Sequence, residues 1–222
     1  SNKSEYQKQY KEINFIGKGN YGWHLGTQQA QLLLGSAILV QKIDDQDSIF
    51  IAKKVMLSSM NKKELESAFQ EVSSKPFAVI RILLQVKLLK SLNHPNIVRY
   101  IDSFTEENEL ITIMEYCEGI LIKVADKTIY HDTEGDLSYF IKTRAETGEL
   151  LDEKVILNWF LQVCLALDCI HKQKILHRDI KSSNIFLTSN GTVKLGDFGI
   201  SKVLEHTQAK ALTSVGTPYY MR

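Results

Sequence analysis

Between Tyr10 and about Val55, apolar and polar residues alternate with glycine breaks, as in EINFIGKGNYG and SIFIAKKVML. A two-residue period of this kind predicts strands in a small antiparallel sheet. Asn61 then opens the charged stretch NKKELESAFQEV, where Leu65, Ala68, Phe69 and Val72 share one helical face. Two further strands are expected in NIVRYIDSF and LITIMEYC, separated by the turn EENE. From Asp136 onward the period becomes helical. Between Leu151 and His171, Val155, Trp159, Val163, Ala166, Leu167 and Ile170 recur at helical spacing, which predicts a long helix turned toward a core. Short strands follow around Ile185 and Val193, with the turn Ser189-Asn190-Gly191 between them. Strands with one helix, then mainly helix, make an α+β chain of two lobes joined near Tyr116, residues 1–116 and 117–222.

Composition narrows this picture without naming a partner. The chain has 222 residues, 44% of them hydrophobic, enough for a sizeable core. Twenty-seven basic residues against 26 acidic ones leave a formal charge of +1, so no overall field favours nucleic acid or an anionic membrane. Cys117, Cys164 and Cys169 are odd in number and lack metal-ligand spacing, which points to reduced thiols in an intracellular, cytoplasmic protein. No apolar run is expected to approach the length of a membrane span, and the polar start SNKSEYQKQYKE is not a signal peptide.

The candidate chemistry is unevenly distributed. Gly17, Gly19 and Gly22, with Lys18, Asn20 and Tyr21, form GKGNYG, whose glycines let backbone N–H groups approach a polyphosphate. The same letters also suit an ordinary turn or a dinucleotide site, but the latter needs a strand-turn-helix unit, and strands on both sides favour a hairpin lid. Lys53, in FIAKKV, is placed to hold phosphates beneath that lid or to sit on a solvated strand edge; Lys54 points to the opposite face. More specific is the ordered series HRDIKSSN, Asp197-Phe198-Gly199 and GTPYY around two short strands. Asp179 supplies a carboxylate to orient a hydroxyl and accept its proton, Asn184 and Asp197 supply oxygen ligands for magnesium, and Lys181 can neutralise a transferred phosphoryl group. His177 and Phe198 read as packing residues that hold this loop.

The phrases MEYCEG…GDL, ILHRDIKSSNIFL, GDFGISKVL and SVGTPYY resemble the protein kinase superfamily, and the NIMA-related (Nek) serine/threonine kinases in particular. The resemblance, from about Tyr10 to Tyr220, implies a two-lobed fold that binds ATP and Mg2+ and transfers the terminal phosphoryl group to serine or threonine of a protein substrate. It implies Lys53 as the ATP-anchoring lysine, Glu71 as its helix partner, Met114 at the back of the adenine pocket, and backbone contacts to adenine from Glu115 and Cys117. It further implies Asp179 as catalytic base, Asn184 and Asp197 as metal ligands, Lys181 as the serine/threonine-type lysine, and Thr213 as the activating phosphorylation site. A cytoskeletal association also follows by resemblance, while the substrate and the oligomeric state stay open. A pseudokinase or regulatory nucleotide-binding module is the rival reading, opposed by the presence of Lys53, Asp179, Asn184 and Asp197 together.

Three stretches depart from the family text, at about 23–35, 72–85 and 120–134. Deleting them restores GKGNYG-SAILVQK, ESAFQE-VKLLKSLNHPNIV and MEYCEG-GDLSYF. They carry apolar runs such as QLLLG, FAVIRILLQV and ILIKV, unlike the polar loops of a surface, and are read as short introns translated in frame rather than family-specific loops. In the second, Pro76 would break the helix carrying Glu71. After GTPYYM the family continues with an Ala-Pro-Glu or Ser-Pro-Glu phrase and further helices, so a C-terminally truncated domain is expected, inactive alone, with an uncovered apolar face on its long helix.

Overall fold

The structure, a computed structural model, describes residues 3–20, 34–56, 86–106, 108–119, 122–124, 127–129, 135–148, 150–198 and 202–203. They divide between two compact units, one drawn from Ser1–Ser91 and Arg99–Tyr116, the other from Leu92–Val98 and Cys117–Arg222.

The first unit is a five-stranded sheet. Helix α1 (Glu5–Gln9) leads into β1 (Tyr10–Asn20), β2 (Leu34–Lys42), β3 (Asp45–Met56), β4 (Tyr100–Glu106) and β5 (Glu109–Glu115), in the spatial order β1-β2-β3-β5-β4 with every pair antiparallel. Among the described residues, 86–91 are helical (α2). Register decides which side chains share a face, because successive residues of a strand point to opposite sides. Ile38, Ala52 and Ile113 lie opposite one another, and with Val40, Ile111, Phe104, Tyr6 and Tyr10 they form one buried cluster. Lys53 pairs with Ala37 and Thr112, one position out of step, and therefore belongs to the other face.

The fourth strand is shorter than NIVRYIDSF suggests and starts at Tyr100. The residues before it are claimed by the second unit: Leu195 N–H donates to Asn96 O at 2.8 Å, Val98 N–H donates to Leu195 O at 2.9 Å, and Ile97 bridges Leu195 in parallel. Asn96 adds its side-chain amide, which donates to Val193 O and to Gln162 Oε1. A backbone group bonded to one unit is withdrawn from the ladder of the other.

The second unit holds α3 (Leu137–Thr147), α4 (Glu153–Lys172), β8 (Ile175–Leu176), β9 (Ile185–Leu187), β10 (Val193–Leu195) and β11 (Lys202–Val203), with the hairpin β6 (Ile122–Val124) and β7 (Lys127–Ile129) ahead of them. Asp136 caps α3 by accepting from Tyr139 N–H at 3.0 Å, and Asp152 caps α4 by accepting from Lys154 N–H at 2.9 Å. Gly148 ends α3 at φ +70°, a left-handed conformation that costs glycine little. β9 and β10 form a hairpin around Gly191.

Helix α4 buries Trp159, Ala166 and Ile170, as the helical period predicts, but Val155 is 38% exposed. Trp159 packs edge-on against Phe140 of α3 with ring centroids 5.4 Å apart and Gln162 meets β10, whereas Val155 lies in the first turn of the helix, ahead of both. Ile156, Leu157, Phe160, Leu161 and Leu165 are exposed on the same helix, the apolar face expected from the sequence. With 20 residues and these side chains, α4 has the length and apolarity to cross a membrane, which corrects the expectation that no run reaches a span. Its Gln162 nevertheless accepts from Val193 N–H at 2.7 Å, tying the helix to β10.

The sequence departures meet the structure unequally. Leu34 and Gly35 belong to β2, paired with Asn20 and Gly19, so the strand runs two residues into 23–35; the rest of that stretch, all of 72–85, Glu71 and the NKKELESAFQEV segment lie outside the described residues. The third stretch is bracketed by Gly119 and Gly135, whose backbones touch: a Cβ built on Gly119 would sit 3.4 Å from Gly135 Cα. Gly119 N–H donates to Leu187 O at 3.0 Å and Leu187 N–H donates to Gly135 O at 2.6 Å. Two residues facing one, the first in the left-handed region at φ +80°, is the pattern of a β-bulge opened by a glycine. Residues 120–134 are inserted between its two positions.

Candidate active site

Most of the predicted site residues of the second unit are brought together. Between β8 and β9 the chain passes through His177, Arg178, Asp179 and Lys181 into a short 3-10 turn, Ser182–Asn184. Arg178 takes φ +67°, which reverses the chain and turns Asp179 inward, where it is buried. Its Oδ2 accepts from Asn184 Nδ2 at 3.0 Å and lies 2.9 Å from Lys181 Nζ, while its backbone O accepts from the same Asn184 amide at 2.8 Å. Burying a carboxylate is costly unless it is paired and hydrogen-bonded, and Asp179 has both kinds of partner.

Asp197 enters from β10. Gly196 N–H donates to Asn184 O at 2.9 Å, and Asp197 itself is held at φ +51°. A Cβ at Gly196 would meet Phe186 Cε2 at 2.7 Å and Val98 Cγ2 at 3.0 Å, so glycine is what lets the chain approach closely enough to deliver Asp197 beside Asn184. His177 supports the arrangement from beneath. It is buried, its Nε2–H donates to Gly196 O at 2.9 Å, its Nδ1 accepts from Asp179 N–H at 3.3 Å, and its ring packs 4.7 Å from that of Phe198. Burial pushes the imidazole below its usual range, consistent with a neutral ring that donates through one nitrogen and accepts through the other. Burial likewise lowers Arg178.

In the first unit, Gly17 pairs with Ala37, and Lys18, Gly19 and Asn20 pair with Ser36, Gly35 and Leu34, so the glycine-bearing segment is the end of a hairpin strand. Tyr21 and Gly22 lie outside the described residues. Lys53 is half-buried on β3. Met114 and Glu115 end β5; Glu115 N–H donates to Arg99 O at 2.9 Å and its carboxylate accepts from Arg99 N–H at 3.1 Å. Cys117 is buried, and its carbonyl would be 2.2 Å from a Cβ at Gly135. Thr213 lies outside the described residues.

Residues 10–222 match the protein kinase domain family. The chain belongs to this family. It is 39% identical over 214 residues to the serine/threonine-protein kinase Nek1 of Mus musculus, covering 96% of this chain and 14% of Nek1. To the serine/threonine-protein kinase Nek5 of Mus musculus it is 45% identical over 210 residues, 94% of this chain and 26% of Nek5. To the putative serine/threonine-protein kinase A of Trypanosoma brucei brucei it is 36% identical over 214 residues, 96% of this chain and 40% of that protein. The chain therefore spans well under half the length of these relatives.

Several residues that shape the kinase unit escaped the motif reading. Gly196 is one letter outside Asp197-Phe198-Gly199, and Asn96 sits in LNHPNIV, where His94 Nδ1 accepts its N–H at 3.1 Å. Gly119 and Gly135 had a legible signal, since deletion of 120–134 makes them neighbours.

Proposed function

We propose that this chain is the nucleotide-binding and phosphoryl-transfer part of a serine/threonine protein kinase that uses magnesium-ATP. The observation that carries the reading is the buried Asp179 carboxylate, oriented by Lys181 and Asn184, with Asn184 bonded through its backbone to the residue before Asp197. The donor set suits magnesium, which takes oxygen ligands. Asn184 commits both amide hydrogens to Asp179, which leaves Oδ1 as its ligand atom, and the Asp197 carboxylate supplies the other oxygens. Bound magnesium would neutralise charge on the phosphates.

Asp179 orients the serine or threonine hydroxyl and accepts its proton as the oxygen attacks the terminal phosphorus and the bond to the departing ADP oxygen breaks. Lys181 lies against the same carboxylate and faces the negative charge of the moving phosphoryl group. Lys53 anchors phosphates, with Glu71 as partner, Gly17 to Gly22 cover them, and Glu115 and Cys117 meet adenine through the backbone. Phosphorylation of Thr213 raises activity by adding charge and acceptor oxygens for Arg178. Residues 1–222 alone are expected to turn over little, because α4 leaves Phe160, Leu161 and Leu165 in water.

The test is a phosphoryl-transfer assay on the full-length protein. Asp179→Asn is expected to lower turnover by roughly three orders of magnitude with nucleotide affinity largely kept, since the base acts on the hydroxyl. Asp197→Ala is expected to abolish the magnesium dependence of nucleotide binding. Near-normal turnover in Asp179→Asn refutes the assignment.

A further inference from the structure

Lys53 and Lys54 are neighbours on β3 and face opposite ways, and the back face, where Lys54 lies, is crossed by the residues ahead of β1. Helix α1 is a single turn, stabilised by a capping box in which Ser4 Oγ accepts from Gln7 N–H at 3.2 Å and the Gln7 side chain accepts from Ser4 N–H at 3.3 Å. It places Tyr6, only 2% exposed, in the buried cluster of that face, stacked 6.0 Å from Tyr10 and tilted against Phe104 at 5.8 Å. From there Tyr6 reaches both edges of the sheet. Its N–H donates to Glu106 Oε1 on β4 at 2.8 Å, and its hydroxyl donates to Glu12 Oε1 on β1 at 3.1 Å. The same Glu12 oxygen lies 2.6 Å from Lys54 Nζ, which also stands 5.0 Å over the Tyr6 ring. Burial and the Glu12 charge hold the Tyr6 hydroxyl in its protonated, donating form.

We infer that residues 4–10 form a strap across the back of the sheet, and that Tyr6 and Lys54 are positioning residues for Lys53. The inference rests on the reading of Lys53 as the phosphate anchor. The physical reason is that Lys54, half-buried and tied both to the exposed Glu12 carboxylate and to the Tyr6 ring, resists twisting or sliding of β3, and Lys53 is its neighbour in the strand. The strap joins the two edge strands to the central one, so it restrains the sheet as a whole and not α1 alone.

Two measurements on the full-length protein test this, with Lys54→Met, Tyr6→Phe and Lys54→Arg. Hydrogen exchange of β3 amides is expected to quicken on the order of tenfold in the first two variants, with β9 and β10 unchanged. Magnesium-ATP affinity is expected to weaken on the order of fivefold in the same variants, the low end of coupling between separated sites, and to recover in Lys54→Arg. Unchanged β3 exchange overturns the strap. Faster exchange with unchanged affinity overturns the positioning role. If the parent chain binds no magnesium-ATP, the kinase reading and the positioning role fall together, and the strap is still decided by exchange.

Discussion

Joining Gly119 directly to Gly135, with residues 120–134 removed, is expected to leave the second unit folded and as stable or more so. The two backbones already touch at 3.4 Å between a Cβ position on Gly119 and Gly135 Cα, which places the two Cα atoms no more than about 5 Å apart against about 3.8 Å across a peptide bond. Closure therefore asks for a shift of about 1 Å. Both bonds to Leu187 and the next bridge, Asp136 with Phe186, survive it. Among the described residues, what is removed is a pair of three-residue strands that pair with each other, and a hairpin of that size is marginal in water on its own. Chain entropy favours the shorter connection by up to about 2 kcal/mol, a rise of roughly 4–8 °C in Tm for a chain of this size. Thermal unfolding followed by circular dichroism reads this directly. Gly135→Ala is the control: its Cβ would meet Cys117 O at 2.2 Å, so it is expected to cost about 1–3 kcal/mol in either background. A deletion that lowers Tm by more than 5 °C or so, or that abolishes cooperative unfolding, refutes the view that 120–134 is an insertion into a complete bulge.

The remaining expectations concern single positions. Gly17→Ala should leave stability unchanged, because its Cβ meets nothing within 4 Å, yet weaken nucleotide binding if a phosphate approaches the backbone there; equal affinity in a binding titration would remove Gly17 from the site. Gly196→Ala should cost about 1–3 kcal/mol in urea denaturation through contact with Phe186 and Val98, and a neutral result would contradict the close approach. The neutral His177 predicts acid sensitivity. Its folded pKa is depressed by burial, against the opposing pull of Gly196 O, Asp197 and Asp179, so as pH falls below 6.5 the unfolded chain takes up a proton that the folded one refuses. Stability should then fall by up to about 1.4 kcal/mol per pH unit until the folded value is reached. Denaturation midpoints of parent and His177→Asn across pH 8 to 5 isolate this contribution, and parallel profiles would show that the ring does not carry it.

The elements around the chemistry were legible because their signals are local. Asp136 announces the start of α3, the period from Leu151 the long helix, Gly191 the hairpin, and HRDIKSSN a loop whose residues meet within a few positions of one another, as the Asp179, Lys181 and Asn184 contacts show. Alternation placed Lys53 and Lys54 on opposite faces of β3, and the structure agrees.

Other features depend on partners far away in the chain. A strand reading of NIVRYIDSF cannot know that Asn96 to Val98 will bond to Leu195, nor a helical period that Val155 will stay exposed while Trp159, one turn on, is buried. SEYQ has the spacing of a capping box, a signal passed over in the polar start SNKSEYQKQYKE, and nothing local announces the use of Tyr6 to join both edges of the sheet. By itself, then, the sequence determined the kinase family, the α+β class, the order of elements and the identity of the charged groups, since periodicity, capping and motif spacing act over a few residues. Tertiary structure decided which faces are covered, which unit claims Leu92–Val98, and why glycine stands at 119, 135 and 196. Those outcomes depend on close approach between backbones and side chains distant in the chain, which no local pattern encodes.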